Sequence, residues 1–168
     1  MHARGIPAVP VTIGHPSDSD PTLTIAVDAA RLRLDACVLE QFAGARSRVT
    51  ARFVGAAGES PRIVVSATQE GTSCPGGDLR LAALATFEAL TRATQGVATF
   101  DLIGVKPVRA FDATVLMVAA LVRIEGEATR VIGAAVDEGD AVIATARAAL
   151  HGVNRLVAPR IAISASTA

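Results

Sequence analysis

The stretch Gly139-Asp140-Ala141-Val142-Ile143-Ala144-Thr145-Ala146-Arg147-Ala148-Ala149-Leu150-His151-Gly152-Val153-Asn154-Arg155 decides how this chain is read. A Gly-Asp pair opens it, and Val142, Ala146, Ala149, Leu150 and Val153 then fall on one helical face with Arg147, His151 and Arg155 opposite. The pair recurs in Gly77-Asp78-Leu79-Arg80-Leu81-Ala82, 62 positions upstream (139 − 77). A second helix is predicted from there to about Thr94, with Leu81, Leu84, Phe87 and Leu90 at near-helical spacing, an exposed Glu88–Arg92 pair and Gly96 as its stop. At this offset Ala146 and Ala149 fall on Leu84 and Phe87, so both copies bury the same side. Asp78 and Asp140 both read as N-caps, their carboxylates accepting from the free N–H groups of a first turn.

Three strands are predicted before each helix. Leu32, Leu34, Ala36 and Val38 alternate with Arg31, Arg33, Asp35 and Cys37, the period of a half-buried strand, and Gly44 closes it. Val49, Ala51 and Phe53 alternate with Arg48, Thr50 and Arg52; Gly55 to Gly58 supplies a turn, and Ile63 to Thr68 is β-branched. In the second half the order repeats as Thr99–Val105, a break at Lys106-Pro107, Ala113–Ile124, a turn at Glu125-Gly126-Glu127, and Arg130–Val136. The unit is β-β-β-α, twice, with no helical stretch between Cys37 and Thr68 that a ferredoxin-like order would need. The fold class expected is α+β, a tandem duplication with two small antiparallel sheets packed with two helices. Ala113 to Val122 is apolar on both faces, which predicts cover on both sides, one by its own helix and one by a further layer such as a partner subunit.

Residues 1–22 hold Pro7, Pro10, Pro16 and Pro21 and read as an arm; Leu23–Val27 reads as a short edge strand. The domain then spans 23–158, with unit one at about 31–95 and unit two at about 97–156, and 159–168 form a tail. Asn154 reads as the end of the second helix.

Of the 168 residues 51% are hydrophobic but only 3% aromatic, with no Trp or Tyr, so the core must be built of small, closely approaching elements. Sixteen basic residues balance sixteen acidic ones without a basic stripe, which argues against nucleic acid as a partner. No apolar run is long enough to span a membrane, no leader pattern opens the chain, and two cysteines are too few for a disulfide framework; a cytoplasmic protein is expected.

Several of these residues carry a family resemblance. The run Gly133 to Arg155, with Val136-Asp137 before Asp140, the Ala144-Thr145 pair and the closing Val153-Asn154-Arg155, resembles the C-terminal regulatory domain of 2-isopropylmalate synthase. The upstream Gly77-Asp78-Leu79-Arg80 is similar in part, with Leu79 and Arg80 where that family has Gly and Pro. The resemblance covers about Leu32 to Leu156. It implies a homodimeric domain that binds an amino-acid effector, leucine or isoleucine, and regulates a catalytic barrel, here one acting in trans. The barrel and its His-x-His metal pair are absent from these residues, whose only histidines are His2, His15 and His151. No catalytic residue, metal or cofactor is expected.

The helix starts supply the site candidates. Gly77 and Gly139 precede first turns whose unpaired N–H groups and positive dipole end suit an amino acid's carboxylate, while Asp78 and Asp140 suit its ammonium group. Ala82, Ala144 and Thr145 leave room for a ligand beside them, and close helix packing accounts for them equally. Asp137 is the acidic candidate outside a cap. Cys74 stands before a helix start that can activate a thiol, but no histidine is placed to assist it. The ligand-binding set is therefore Gly77, Asp78, Ala82, Asp137, Asp140, Ala144 and Thr145. A module that keeps its dimer surface and has lost the pocket is the alternative.

Overall fold

The computed structural model describes residues 31–56 and 63–166. The arm over 1–22, the short strand at Leu23–Val27 and turn residues 57 and 58 lie outside this range. Within it the order is β1 (Arg31–Phe42), β2 (Arg46–Ala56), β3 (Ile63–Thr72), α1 (Pro75–Ala93), β4 (Ala98–Ala110), β5 (Ala113–Ile124), β6 (Glu127–Val136) and α2 (Ala141–Ser166). The strands form two antiparallel sheets, β1-β2-β3 and β4-β5-β6, so the fold is the duplicated β-β-β-α arrangement.

The two copies interlock. Each helix covers the second and third strands of its own sheet, touches the other helix, and reaches the first strand of the other unit: α1 packs on β4, and α2 on β1. Phe87 of α1 stacks on Phe100 of β4 with ring centroids 5.2 Å apart, which ties unit one to unit two. One continuous core results, with Phe53, Leu90, Ile161 and Val49 among its largest fully buried side chains.

The helices superpose differently from the Gly-Asp pairs. They begin at Pro75 and Ala141, 66 residues apart, four more than the spacing of the pairs. Four residues are about one helical turn, so the apolar faces match under either offset. The consequence is that Asp78 is not the N-cap of α1. Cys74 is, its Sγ accepting from the Gly77 N–H at 3.3 Å, with Pro75 in the first position where its missing N–H costs nothing. Gly77 is required here, since a Cβ would lie 2.6 Å from the Thr72 carbonyl oxygen.

Three further expectations are corrected. In β1 the pairing with β2 shifts between Leu34 and Ala36, and the unpaired Asp35 flips every later side chain to the other face. Cys37 is therefore buried, and Val38 is half-exposed rather than inward. Lys106-Pro107 does not break β4, which runs through it to Ala110; as an edge strand it can turn the missing N–H outward. Asn154 does not end α2, which continues through Pro159 to Ser166 because Val157, Ala158 and Ile161 are buried, and their burial outweighs the ~3 kcal/mol cost of an internal proline. The faces of α2 are as expected, with Val142, Ala146, Ala149, Leu150 and Val153 buried and Arg147, His151 and Arg155 exposed.

Candidate functional site

The two helix starts, alike in sequence, differ in what they leave free. At α2 the Asp140 carboxylate accepts from the N–H groups of Val142 and Ile143, both at 2.9 Å. Asp137 closes the turn before it: its N–H donates to the Thr114 carbonyl at 2.8 Å and its carboxylate accepts from the Gly139 N–H at 3.0 Å. Gly139 has a φ of 106°, a conformation that a side chain would strain. Thr145 is fully buried and its hydroxyl donates to the Ala141 carbonyl, while Ala144 is packed in the core. The donors that a ligand carboxylate would need are thus taken by the protein's own carboxylates. Asp140→Ala should cost about 1 kcal/mol, read as a fall in the denaturant midpoint, because two amide groups lose their acceptor.

Cys37 of β1 belongs to the same neighbourhood. Burial pushes its thiol up to about 12, with the negative charge of Asp140 adding to the effect. It stays a neutral core residue. Cys74, by contrast, is exposed and spends its sulfur on the Gly77 amide.

The start of α1 is the open one. A sulfur is a weak acceptor, and Cys74 satisfies one amide where Asp140 satisfies two. Asp78, in the first turn, is 7% exposed, and its Oδ1 has no hydrogen-bond partner. Ser47 of β2 is 1% exposed, and its Oγ is likewise unpartnered. The register places Ser47 between Gln41 of β1 and Gly71 of β3. Gly71 abuts Leu81 of α1, one turn beyond Asp78, so the end of β3 packs on the first turns of the helix. Gln41 closes that end, its Nε2 donating to Ser73 Oγ at 3.2 Å, and the Ser73 N–H donates to the Ala45 carbonyl. Buried oxygens without a hydrogen-bond partner are uncommon in folded proteins and cost ~1–3 kcal/mol each, and Asn154 Oδ1 of α2 is a third among the described residues.

The structure thus separates the residues expected at the site. Gly77 and Asp78 sit at the α1 start, and Ala82 is packed behind them with its carbonyl accepting from the buried Thr86 hydroxyl. Asp137, Asp140, Ala144 and Thr145 build the α2 start. Cys37, four residues before Gln41 on β1, feels the Asp140 charge, so β1 runs past both starts. Sequence reading missed Ser47 and Gln41, because a lone Ser or Gln in a strand gives no signal until the sheet register sets it beside a helix.

Among the described residues no three potential ligands gather to hold a metal, and no helix is long and apolar enough to cross a membrane. No family model and no curated protein matches the chain.

Proposed function

We propose that the chain is an amino-acid-sensing regulatory module whose effector binds at the start of α1 and which acts on a separate catalytic chain. The reading rests on the pair of buried, unpartnered oxygens, Asp78 Oδ1 and Ser47 Oγ. A carboxylate oxygen without a donor suits a cationic ammonium group, which brings three N–H donors. The resemblance of Gly133–Arg155 to the regulatory domain of 2-isopropylmalate synthase narrows the class to leucine, isoleucine and their relatives.

Thermal shift against leucine, isoleucine, valine and the matching keto acids tests it. An effector at 100 times its Kd should stabilise the protein by ~2.7 kcal/mol. The amino acids should shift the transition and the keto acids, which lack the ammonium group, should not. Asp78→Ala should abolish the shift and by itself raise the stability of the free protein by about 1 kcal/mol, because it removes a buried oxygen that has no donor. No shift with any amino acid at millimolar concentration, or an undiminished shift in Asp78→Ala, would overturn the reading.

A different observation favours a second reading, an assembly module without an effector: the outer face of the β4-β5-β6 sheet is apolar, with Ile103, Ile132 and Val136 all about half-exposed. Recovery of a catalytic partner with the chain, together with no ligand response, would select it.

A further inference from the structure

The exposed side of α2 changes character along its length. Arg147 is held by Glu138 at 2.8 Å, but one and two turns further on His151 and Arg155 stand in no ion pair among the described residues. β1 brings another cation to the same place. Cys37 feels the charge of Asp140 at the start of α2, and β1 packs on that helix in the opposite direction. Six residues of strand back from Cys37 (37 − 31) cover ~20 Å, and fifteen residues of helix on from Asp140 (155 − 140) cover ~22 Å, so Arg31 comes level with Arg155.

Arg31 and Arg155 line a cleft of about 590 Å³ there, together with His151, Asn154, Ala158 and Pro159. That volume lies inside the usual range for small-molecule sites, roughly 300–1,000 Å³. Among the described residues no acid lines the cleft, and neither guanidinium forms an ion pair. The chain as a whole is neutral, so two unbalanced cations in one cleft are a local concentration of charge.

Acceptors without donors gather in the same place. Asn154 Oδ1 is buried and unpartnered. Pro159, one turn beyond Arg155, has no N–H to give the Arg155 carbonyl, which loses its helical donor. His151 Nδ1 donates to the Ala134 carbonyl of β6 at 3.2 Å, which leaves Nε2, an acceptor whenever the ring is neutral.

We propose that the cleft between α2 and the start of β1 binds a phosphate ester of a small hydroxylated molecule, a sugar phosphate in class. A phosphate monoester carries close to two negative charges at neutral pH, which Arg31 and Arg155 offset, and a guanidinium matches phosphate oxygens with two parallel N–H bonds. The hydroxyl groups bring donors to Asn154 Oδ1 and its neighbours. An ammonium group would bring donors too, but two guanidiniums with no acid beside them repel it, so this ligand differs in class from the effector at the start of α1. A nucleobase has nothing to stack on, because no aromatic ring lines the cleft.

Titration calorimetry of the full chain with ribose 5-phosphate, inorganic phosphate and ribose tests this. Ribose 5-phosphate should bind saturably, inorganic phosphate about tenfold more weakly, and ribose not at all at millimolar concentration. Arg31→Gln and Arg155→Gln, both at exposed positions, should each weaken ribose 5-phosphate about tenfold or more through the loss of charged hydrogen bonds. Arg147→Gln, on the same side of α2, should leave binding unchanged because Glu138 already holds that guanidinium. Asn154→Ala should bring ribose 5-phosphate down towards inorganic phosphate, since a hydroxyl contact goes and the phosphate contacts stay. No saturable binding of ribose 5-phosphate at millimolar concentration, full binding in Arg31→Gln and Arg155→Gln, or an equal loss in Arg147→Gln overturns the inference. Inorganic phosphate that binds as tightly as the ester, or a preference for the ester that survives Asn154→Ala, overturns the assignment of a hydroxylated ligand.

Discussion

Gly133→Ala should be the most damaging single-methyl change in the described chain. A Cβ at this place in β6 would stand 1.9 Å from the Ala148 carbonyl oxygen and 2.5 Å from the Gly152 nitrogen, both backbone atoms of α2. No rotamer can relieve such a clash, so the helix itself has to move. That helix also packs on β1, β5 and α1, and its displacement disturbs the contacts that join the two units. A loss of ~3 kcal/mol or more is expected, above the usual range for an added core methyl because the obstacle is backbone. Against a total stability of ~5–15 kcal/mol this is a large share. Chemical denaturation measures it, with Gly76→Ala as the control. Gly76 has nothing within 4 Å of its hypothetical Cβ and lies in the first turn of α1, so its variant should be neutral or slightly stabilised. A Gly133→Ala protein within ~1 kcal/mol of wild type would show that β6 and α2 can separate at little cost.

The second large effect is a loss of stability at alkaline pH. The Cys37 thiol, pushed up to about 12 by burial and then by Asp140, ionises near 9 once unfolded. Below pH 9 it is neutral in both states and the full stability is present. Between about 9 and 12 the unfolded chain gives up the proton while the folded chain keeps it, so stability falls by about 1.4 kcal/mol per pH unit. Summed over that window the loss is on the order of 4 kcal/mol. Urea denaturation from pH 7 to 11 reads the slope, and Cys37→Ala should lower the curve at neutral pH by leaving a small cavity while flattening its alkaline limb. An equally steep limb in Cys37→Ala would assign the loss to other groups. In the same experiment the exposed Cys74 should react readily with a thiol reagent at pH 8, and Cys37 only on unfolding.

These effects trace what a single chain of letters conveys. The period of 3.6 in Val142, Ala146, Ala149, Leu150 and Val153 is a local property, and the face it describes is the face that is buried. Even the misplaced repeat offset kept the right face, because its error of four residues is close to one turn. The strands of the second unit carry an equally local signal up to Lys106-Pro107, where an ordinarily sound rule about proline gave way to the outward N–H of an edge strand. Asp78 shows the opposite situation. A Gly-Gly-Asp run before an apolar helix has the look of a cap, and only the position of Cys74 and Pro75 turns Asp78 inward, where its oxygen has no donor.

The order β-β-β-α twice, the two antiparallel hairpin series and the buried sides of both helices were determined by the sequence alone, because periodicity and turn chemistry act between residues a few positions apart. The tertiary structure decided what depends on distant partners. It set the bulges at Asp35 and Ile103, which reverse the faces of β1 and β4, and the continuation of α2 past Pro159 under the pull of Ile161. It also left Asp78 Oδ1 and Ser47 Oγ buried without partners, joined Arg46 and Arg48 of β2 to Glu70 of β3, and pressed Gly133 against Gly152. Cross-strand register and the close approach of packed layers produce all of these, and neither is written in any window short enough to have a period.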